Sequence, residues 1–244
     1  MLEAFEKYVS GYSLDHDYIK LKYNHSVRVM ELMIKYAKEL NYSDEDIELA
    51  RLIGLLHDIG RFEQYKVFGS DVDYKTVDHA DYSVVQLFDK NQIELFTDRR
   101  DWYPIIKFAI KNHNKRDLPD CEDQRVLRFA RLIRDIDKMD ILYLIGYLKQ
   151  EGKRFFFDSI TEQVLEYVYN HETVDLTKCK NANDWLVAQF AFVFDINNDV
   201  ILTEYKEYLK YLYDVVNKDL FKEMYEYILK YIDERIDKND RNRN

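Results

Sequence analysis

Glycine and proline are scarce in this chain, with six glycines and two prolines among 244 residues. Average usage would give about 29 such residues in a chain of this length. Few tight turns can therefore form, which argues against the turn-rich all-β folds. Apolar residues recur at helical spacing along almost the whole chain, and no alternating segment is followed by a hairpin turn. The sequence therefore predicts an all-α fold.

The positions of the helices follow from the apolar periodicity. Ser43 and Asp46 resemble a capping box at the start of the third helix, and Gly60 is interpreted as lying just past its end. Between residues 61 and 78 the periodicity fails, and the FGSDVDYKTVD stretch at 68–78 predicts a loop of the length usually associated with function. The predicted helices lie near residues 2–11, 16–40, 44–58, 79–89, 101–113, 121–149, 159–170, 182–194, 200–216 and 218–236.

The charge and the cysteine content limit the class of protein. The formal net charge is −10, with no basic block except a short tail, so no nucleic-acid polymer is expected as a partner. The two cysteines, Cys121 and Cys179, form no CxxC pair, which favours a reducing, cytoplasmic environment. No membrane association and no secretion are expected, because the chain has neither a signal-like start nor an apolar stretch of about 18 residues.

Polar residues stand where four of the predicted helices should face the core. His25, His57, His113 and Asp137 each lie in a row of apolar residues at helical spacing. Each position taken alone has a structural explanation, because a core histidine can be satisfied by hydrogen bonds and Asp137 can pair with Arg131 or Arg134. Together the four positions favour a divalent metal site, since imidazole and carboxylate are ligands that such ions prefer.

Three segments carry these residues in the order H…HD…D. They read NHSVR at 24–28, GLLHDIGR at 54–61 and RDIDKMD at 134–140. In this pattern the sequence resembles the HD superfamily of metal-dependent phosphohydrolases over roughly residues 20–145. Helices at 151–238 are expected to pack on the core as part of the same domain, and residues 239–244 to form a polar tail. The resemblance implies an all-α core at 1–150. It also assigns His25, His57, Asp58 and Asp137 as ligands of the shared metal site.

Two further segments, DHADYS at 78–83 and NHNK at 112–115, resemble the additional histidines of the subfamilies that hold two metals. His79 and His113 are then ligands of a second ion, and Asp58 is the expected bridging carboxylate. One or two divalent ions such as manganese, iron, zinc or magnesium are implied. The Gly-Tyr-Pro element of the HD-GYP phosphodiesterases and the acidic pair of the alarmone hydrolases are both missing, so neither activity is implied.

The resemblance implies hydrolysis of a phosphomonoester or phosphodiester in a small phosphorylated substrate, with a nucleotide preferred, through water or hydroxide activated by metal. Asp58, Arg61 and Lys115 are the candidate catalytic residues. Arg61, Lys115 and Arg28 are candidates for binding the substrate phosphate. Each of these three cations is also compatible with an ordinary solvated surface residue.

Two other functions are compatible with the same residues. A catalytically inactive regulatory module of this fold would bind a metal or a nucleotide without turnover, and its metal site would be closed rather than open. In a purely structural helical protein that interacts with partners, the inward-facing histidines would be coincidental and would bind no metal. A homodimer is possible because most soluble oligomers are homo-oligomers.

Overall fold

The computed structural model describes residues 1–13, 15–150, 159–216 and 218–243. Within these residues every regular element is helical, which confirms the all-α prediction. The chain divides into two compact units, Met1–Ile136 and Asp137–Asn244, and one helix runs through the boundary. None of the described helices is long and apolar enough to cross a membrane.

The first unit contains six helices and the beginning of a seventh. They are α1 (Leu2–Val9), α2 (Asp17–Glu39), α3 (Asp44–Leu56), α4 (Ile59–Phe68), α5 (His79–Val84), α6 (Tyr103–Asn112) and α7 (Gln124–Gln150). A π-helical turn, Val85–Asp89, extends α5, so that the two segments together span the helix predicted at 79–89.

The packing of α2 on α3 follows from their sequences. Ser43 accepts a hydrogen bond from the backbone of Asp46 at 3.2 Å, which confirms the predicted N-terminal cap of α3. Gly54 allows the two helices to approach closely, because a Cβ at that position would lie 2.9 Å from both the Cα of Met30 and the Cγ of Met33. The side chains of α2 are thereby brought against the last turn of α3.

The loop predicted at 68–78 is confirmed except for Phe68, whereas helix α4 was not predicted and occupies the first part of the segment at 61–78. Residues 59–68 are helical, and only the segment from Gly69, where φ is 64°, to Asp78 is loop, with one short 3-10 turn at Asp73–Lys75. The interpretation of Gly60 as lying past a helix end was also wrong. The break between helices comes at His57 and Asp58, and Gly60 lies inside α4.

Gly60 is needed for close packing rather than for a turn. A Cβ there would lie 2.5 Å from the backbone nitrogen of Ser83 and 2.8 Å from the carbonyl oxygen of His79. Its own backbone N–H donates to the Ser83 hydroxyl at 2.9 Å. The glycine therefore lets α4 and α5 touch at the start of α5.

Among its described residues, the second unit contains the rest of α7 and four more helices. These are α8 (Glu162–Tyr169), α9 (Ala182–Phe190), α10 (Leu202–Asp214) and α11 (Lys218–Arg243). Their core is apolar and aromatic, with Phe190, Tyr205 and Phe221 almost fully buried. The last helix was predicted to end near residue 236, but it continues to Arg243, so the polar tail is helical up to that residue.

The predicted division at residue 150 lies beside residues 151–158, which are outside the described residues. The assignment of 151–238 to the same domain as the core stays a prediction.

Candidate metal centre

Six residues were predicted as metal ligands, and the first unit brings five of them together. His25 lies on α2, and His57 and Asp58 lie at the junction of α3 and α4. His79 is the first residue of α5, and His113 directly follows α6. All five are buried, with at most 7% of their surface exposed.

The carboxylate of Asp58 lies between two pairs of histidines. Its Oδ2 atom is 3.6 Å from Nε2 of His25 and 3.8 Å from Nε2 of His57. Its Oδ1 atom is 3.4 Å from Nε2 of His79 and 3.7 Å from Nε2 of His113. Within each pair the two Nε2 atoms are 3.1 Å apart. Each carboxylate oxygen therefore faces its own pair of imidazoles.

The tautomers of three of these histidines follow from their second ring nitrogen. Nδ1 of His57 lies 2.8 Å from the carbonyl oxygen of Gly54, and Nδ1 of His113 lies 2.7 Å from that of Ile110. Since a carbonyl oxygen can only accept, both Nδ1 atoms donate. A neutral imidazole that donates through Nδ1 carries its lone pair on Nε2. The Nε2 atoms that face Asp58 are therefore electron-pair donors.

His79 is oriented by a carboxylate instead of a carbonyl. Its Nδ1 atom donates to Oδ2 of Asp73 at 2.5 Å. Burial and the nearby Arg61 guanidinium lower the pKa of His79 to about 4, although its hydrogen bond to Asp73 opposes this shift. The imidazole is therefore neutral at pH 7, and its Nε2 lone pair points to Asp58.

The lone pairs and oxygens that converge here fit divalent ions. Two ligand atoms that each lie about 2.1 Å from one ion at tetrahedral or octahedral angles are about 3.0–3.4 Å apart. The observed separations of 3.1–3.8 Å are close to this range. Two groups of candidate ligands share Asp58, one with His25 and His57 and the other with His79 and His113.

Neighbouring cations stabilise the ionised form of the Asp58 carboxylate. Burial alone would raise the pKa of its carboxyl group, but the positive charge of Lys22 opposes burial, and that pKa lies well below its usual range. Nζ of Lys22 lies 2.8 Å from Oδ2, and Nε of Arg61 lies 3.9 Å from Oδ1. The carboxylate is thus ionised at neutral pH and available as a ligand.

Asp137, the sixth predicted ligand, lies on α7 and is the first residue of the second unit. It is buried, with 7% of its surface exposed. Its role as a ligand stays a prediction.

The three cations predicted to bind phosphate differ in their surroundings. Nη1 of Arg61 donates to the backbone carbonyl of Asp71 at 2.6 Å and to Oδ1 of Asp73 at 2.7 Å. Nζ of Lys115 lies 2.7 Å from Asp78 and 2.9 Å from Asp81. Arg28 is half-buried on α2, one turn after His25. Their roles toward a substrate stay predictions.

Sequence reasoning missed Lys22 and Asp73 as neighbours of the centre. Lys22 lies one turn before His25 on α2, so its spacing from a predicted ligand was the available signal. Asp73 lies in the loop between α4 and α5, where no periodicity indicates which side chains point inward. The other two histidines, His16 and His171, are exposed as expected.

The comparison with known families agrees with the geometry. Residues 23–142 match the model of the HD domain. Searches among curated proteins and among solved structures gave no match. The matched segment contains all six predicted ligands, and in the structure four of them, all histidines, surround the carboxylate of a fifth, Asp58. Residues 23–142 are an HD domain.

Proposed function

We propose that this chain is a dinuclear, metal-dependent phosphohydrolase that cleaves a phosphomonoester or phosphodiester of a small substrate, with a nucleotide as the preferred class. One observation carries the proposal. The two oxygens of Asp58 face separate pairs of histidine Nε2 atoms. A carboxylate in that position can bridge two ions, whereas a single structural ion would need only one side of it.

His25, His57 and Asp58 would hold the first ion together with Asp137, the residue that the family pattern adds. Asp58, His79 and His113 would hold the second. Ions bound there would neutralise charge on the phosphoryl oxygens and lower the pKa of bound water toward about 7.

The protein's own residues prepare the centre for this chemistry. The carbonyls of Gly54 and Ile110 and the carboxylate of Asp73 fix the orientation of three imidazoles. Arg61 and Lys22 supply positive charge beside Asp58. Arg28 and Lys115 remain further candidates for contacts with the substrate phosphate.

Metal content tests the proposal directly. Wild-type protein and His79→Ala are prepared identically with manganese, and metal per chain is measured by elemental analysis. We expect about two equivalents in the wild type and about one in the variant. His16→Ala removes an exposed histidine and should keep both equivalents. One equivalent in both wild type and His79→Ala would contradict a dinuclear centre, and none after reconstitution would contradict a metal centre altogether.

Turnover separates the enzyme from a regulatory module of the same fold. The wild-type protein with two metals is tested against nucleotides, dinucleotides and a nitrophenyl phosphodiester. Cleavage that disappears in His79→Ala supports the phosphohydrolase. Full metal loading without cleavage of any of these esters would favour the inactive module instead.

A further inference from the structure

We propose that Tyr18, Lys22 and Arg61 form an oxyanion subsite beside Asp58 that binds the phosphoryl group of the substrate. This inference rests on the phosphohydrolase function proposed above and adds two residues that no sequence pattern assigns. Its basis is two buried donors without acceptors, the Tyr18 hydroxyl and Nε of Arg61, together with the Lys22 ammonium beside Asp58.

Two helices place these residues around Asp58. Tyr18, Lys22 and His25 are spaced i, i+4 and i+7 on α2, so they lie on one face of that helix. Arg61 follows Asp58 by one turn on α4. The ammonium of Lys22 is 2.8 Å from one oxygen of Asp58, and Nε of Arg61 is 3.9 Å from the other. The carboxylate therefore has a cation beside each of its oxygens.

Several buried polar atoms around this carboxylate are unsatisfied, including its own Oδ1, which accepts no hydrogen bond among the described residues. Among the described residues, the hydroxyl of Tyr18 and Nε of Arg61 are buried and have no hydrogen-bond partner. Lys22 has three N–H donors, and Asp58 is the acceptor of the one hydrogen bond assigned to them. An unsatisfied buried donor costs about 1–3 kcal/mol, so such groups are uncommon unless a ligand or water completes them.

The Tyr18 hydroxyl is suited to donate. Its ring is fixed by stacking on Tyr65, with centroids 4.3 Å apart. Burial raises the pKa of Tyr18 far above neutral pH, and Asp58 is among the carboxylates that raise it further. The group is therefore a neutral donor with a fixed ring beside a charged centre.

These donors match the chemistry of a phosphoryl group. Two cations lie beside Asp58, whose charge divalent ions would take up, and the neutral hydroxyl belongs to the residue one turn before Lys22 on α2. The Lys22 ammonium and Nε of Arg61 are then available for another anion, while Nη1 of Arg61 stays bound to Asp73. A phosphoryl group offers several acceptor oxygens at once, which suits donors that approach from α2 and from α4.

Binding of inorganic phosphate to manganese-loaded protein tests the subsite. Titration calorimetry is run on wild type, Tyr18→Phe and Lys22→Met, and the metal content of each sample is measured. We expect the Kd for phosphate to rise about tenfold or more in each variant, because a hydrogen bond to a charged group is lost, while metal content is kept.

Tyr65→Phe and Lys20→Met are matched controls at a neighbouring ring and at an exposed lysine of α2, and both should bind phosphate as the wild type does. Lys22→Arg keeps the cation and should restore most of the affinity.

Several outcomes would overturn the subsite. Wild-type affinity in both Tyr18→Phe and Lys22→Met would do so, as would failure of the loaded wild type to bind phosphate. A loss of metal content in parallel with phosphate affinity would show that these residues act on the metal centre and not on the anion. Phosphate binding that requires both residues, in a protein that cleaves no ester, would support the subsite and refute only the hydrolase function.

Discussion

At the scale of single residues, the centre depends on which nitrogen of each imidazole carries the proton. His57, His79 and His113 each donate through Nδ1, to two carbonyl oxygens and one carboxylate. Their Nε2 lone pairs therefore face Asp58 before any ion arrives. Little reorganisation is then needed on metal binding, because the ligand atoms already point at the ions' positions.

Asp58→Asn tests the bridging role of this carboxylate. The change keeps the size of the side chain and removes the charge that both ions would share. We expect loss of both metal equivalents and of turnover, measured by elemental analysis and by ester hydrolysis, with an unchanged helical circular dichroism spectrum. Asp89→Asn alters an exposed aspartate of the same unit and should leave the metal content unchanged. Full loading of Asp58→Asn would contradict the bridging role.

Asp73→Asn tests how the second histidine pair is oriented. Asp73 accepts from His79 and from Arg61, so the amide would weaken both contacts. We expect the weaker of two manganese-binding steps to lose 10–100-fold in affinity, as is typical when a partner of a ligating histidine is removed. Asp71→Asn is a control, because Asp71 contributes its backbone carbonyl to the contact with Arg61. Equal titration curves for the two variants would argue against this role of Asp73.

The sequence predicts the ligands better than their neighbours, for a physical reason. A histidine or aspartate in an apolar row is conspicuous because its burial needs a partner. Lys22 and Tyr18 are not conspicuous, because a long amphipathic side chain on a helix can equally reach water. Asp73 and its contact with His79 depend on the path of a loop, which periodicity does not describe.

At the scale of elements, α4 is the helix that the sequence did not predict. Gly60 suggested a helix end, and the exposed Val67 and Phe68 break the apolar period of the segment. In the structure Ile59 and Phe62 are fully buried, and the absence of a side chain at Gly60 allows α5 to pack closely against α4. A glycine that makes room for a neighbouring helix and one that ends a helix look alike in a sequence.

Gly60→Ala should disturb the centre through the contact of α4 with α5. The added methyl group would overlap the backbone of Ser83 and His79, which costs about 1–3 kcal/mol of unfolding free energy and displaces the His79 ligand. We expect a lower melting temperature together with loss of about one metal equivalent.

Gly69→Ala is the comparison, because a Cβ there meets nothing within 4 Å and the strain comes only from its φ of 64°. It should cost about 1–2 kcal/mol and keep both metals. Full metal content in Gly60→Ala would show that the close contact does not position His79.

At the scale of the whole molecule, composition and periodicity were sufficient to predict the class of fold. They were less informative about residues 151–244, where no motif was found and where helices bury apolar and aromatic residues. Packing of this kind is compatible with many arrangements of helices. The function proposed here therefore depends on the HD domain alone.

Removal of metal should lower the stability of the protein. An ion that binds only the folded state and is present at about 100 times its Kd adds about 2.7 kcal/mol. For a chain of this size, that corresponds to a fall in Tm of roughly 5–10 °C after treatment with a chelator. Differential scanning fluorimetry on wild type and on Asp58→Asn measures the effect. A chelator should not change the Tm of the variant, and a wild-type Tm that is equally insensitive would contradict a native metal.

The side chain of Arg134 on α7, which is 1% exposed, bears on which residues near His113 can change in related sequences. Its guanidinium donates to the backbone carbonyls of Asn112, Lys115 and Arg116. Every amino acid carries that carbonyl, so Arg134 supports the path of the segment after His113 whatever side chains it has, in addition to the contacts of Asn114 and Lys115 with Asp78. Residues 114–116 can therefore change in related chains without moving the backbone beside His113. Substrate preference could diversify there while the ligand stays in place.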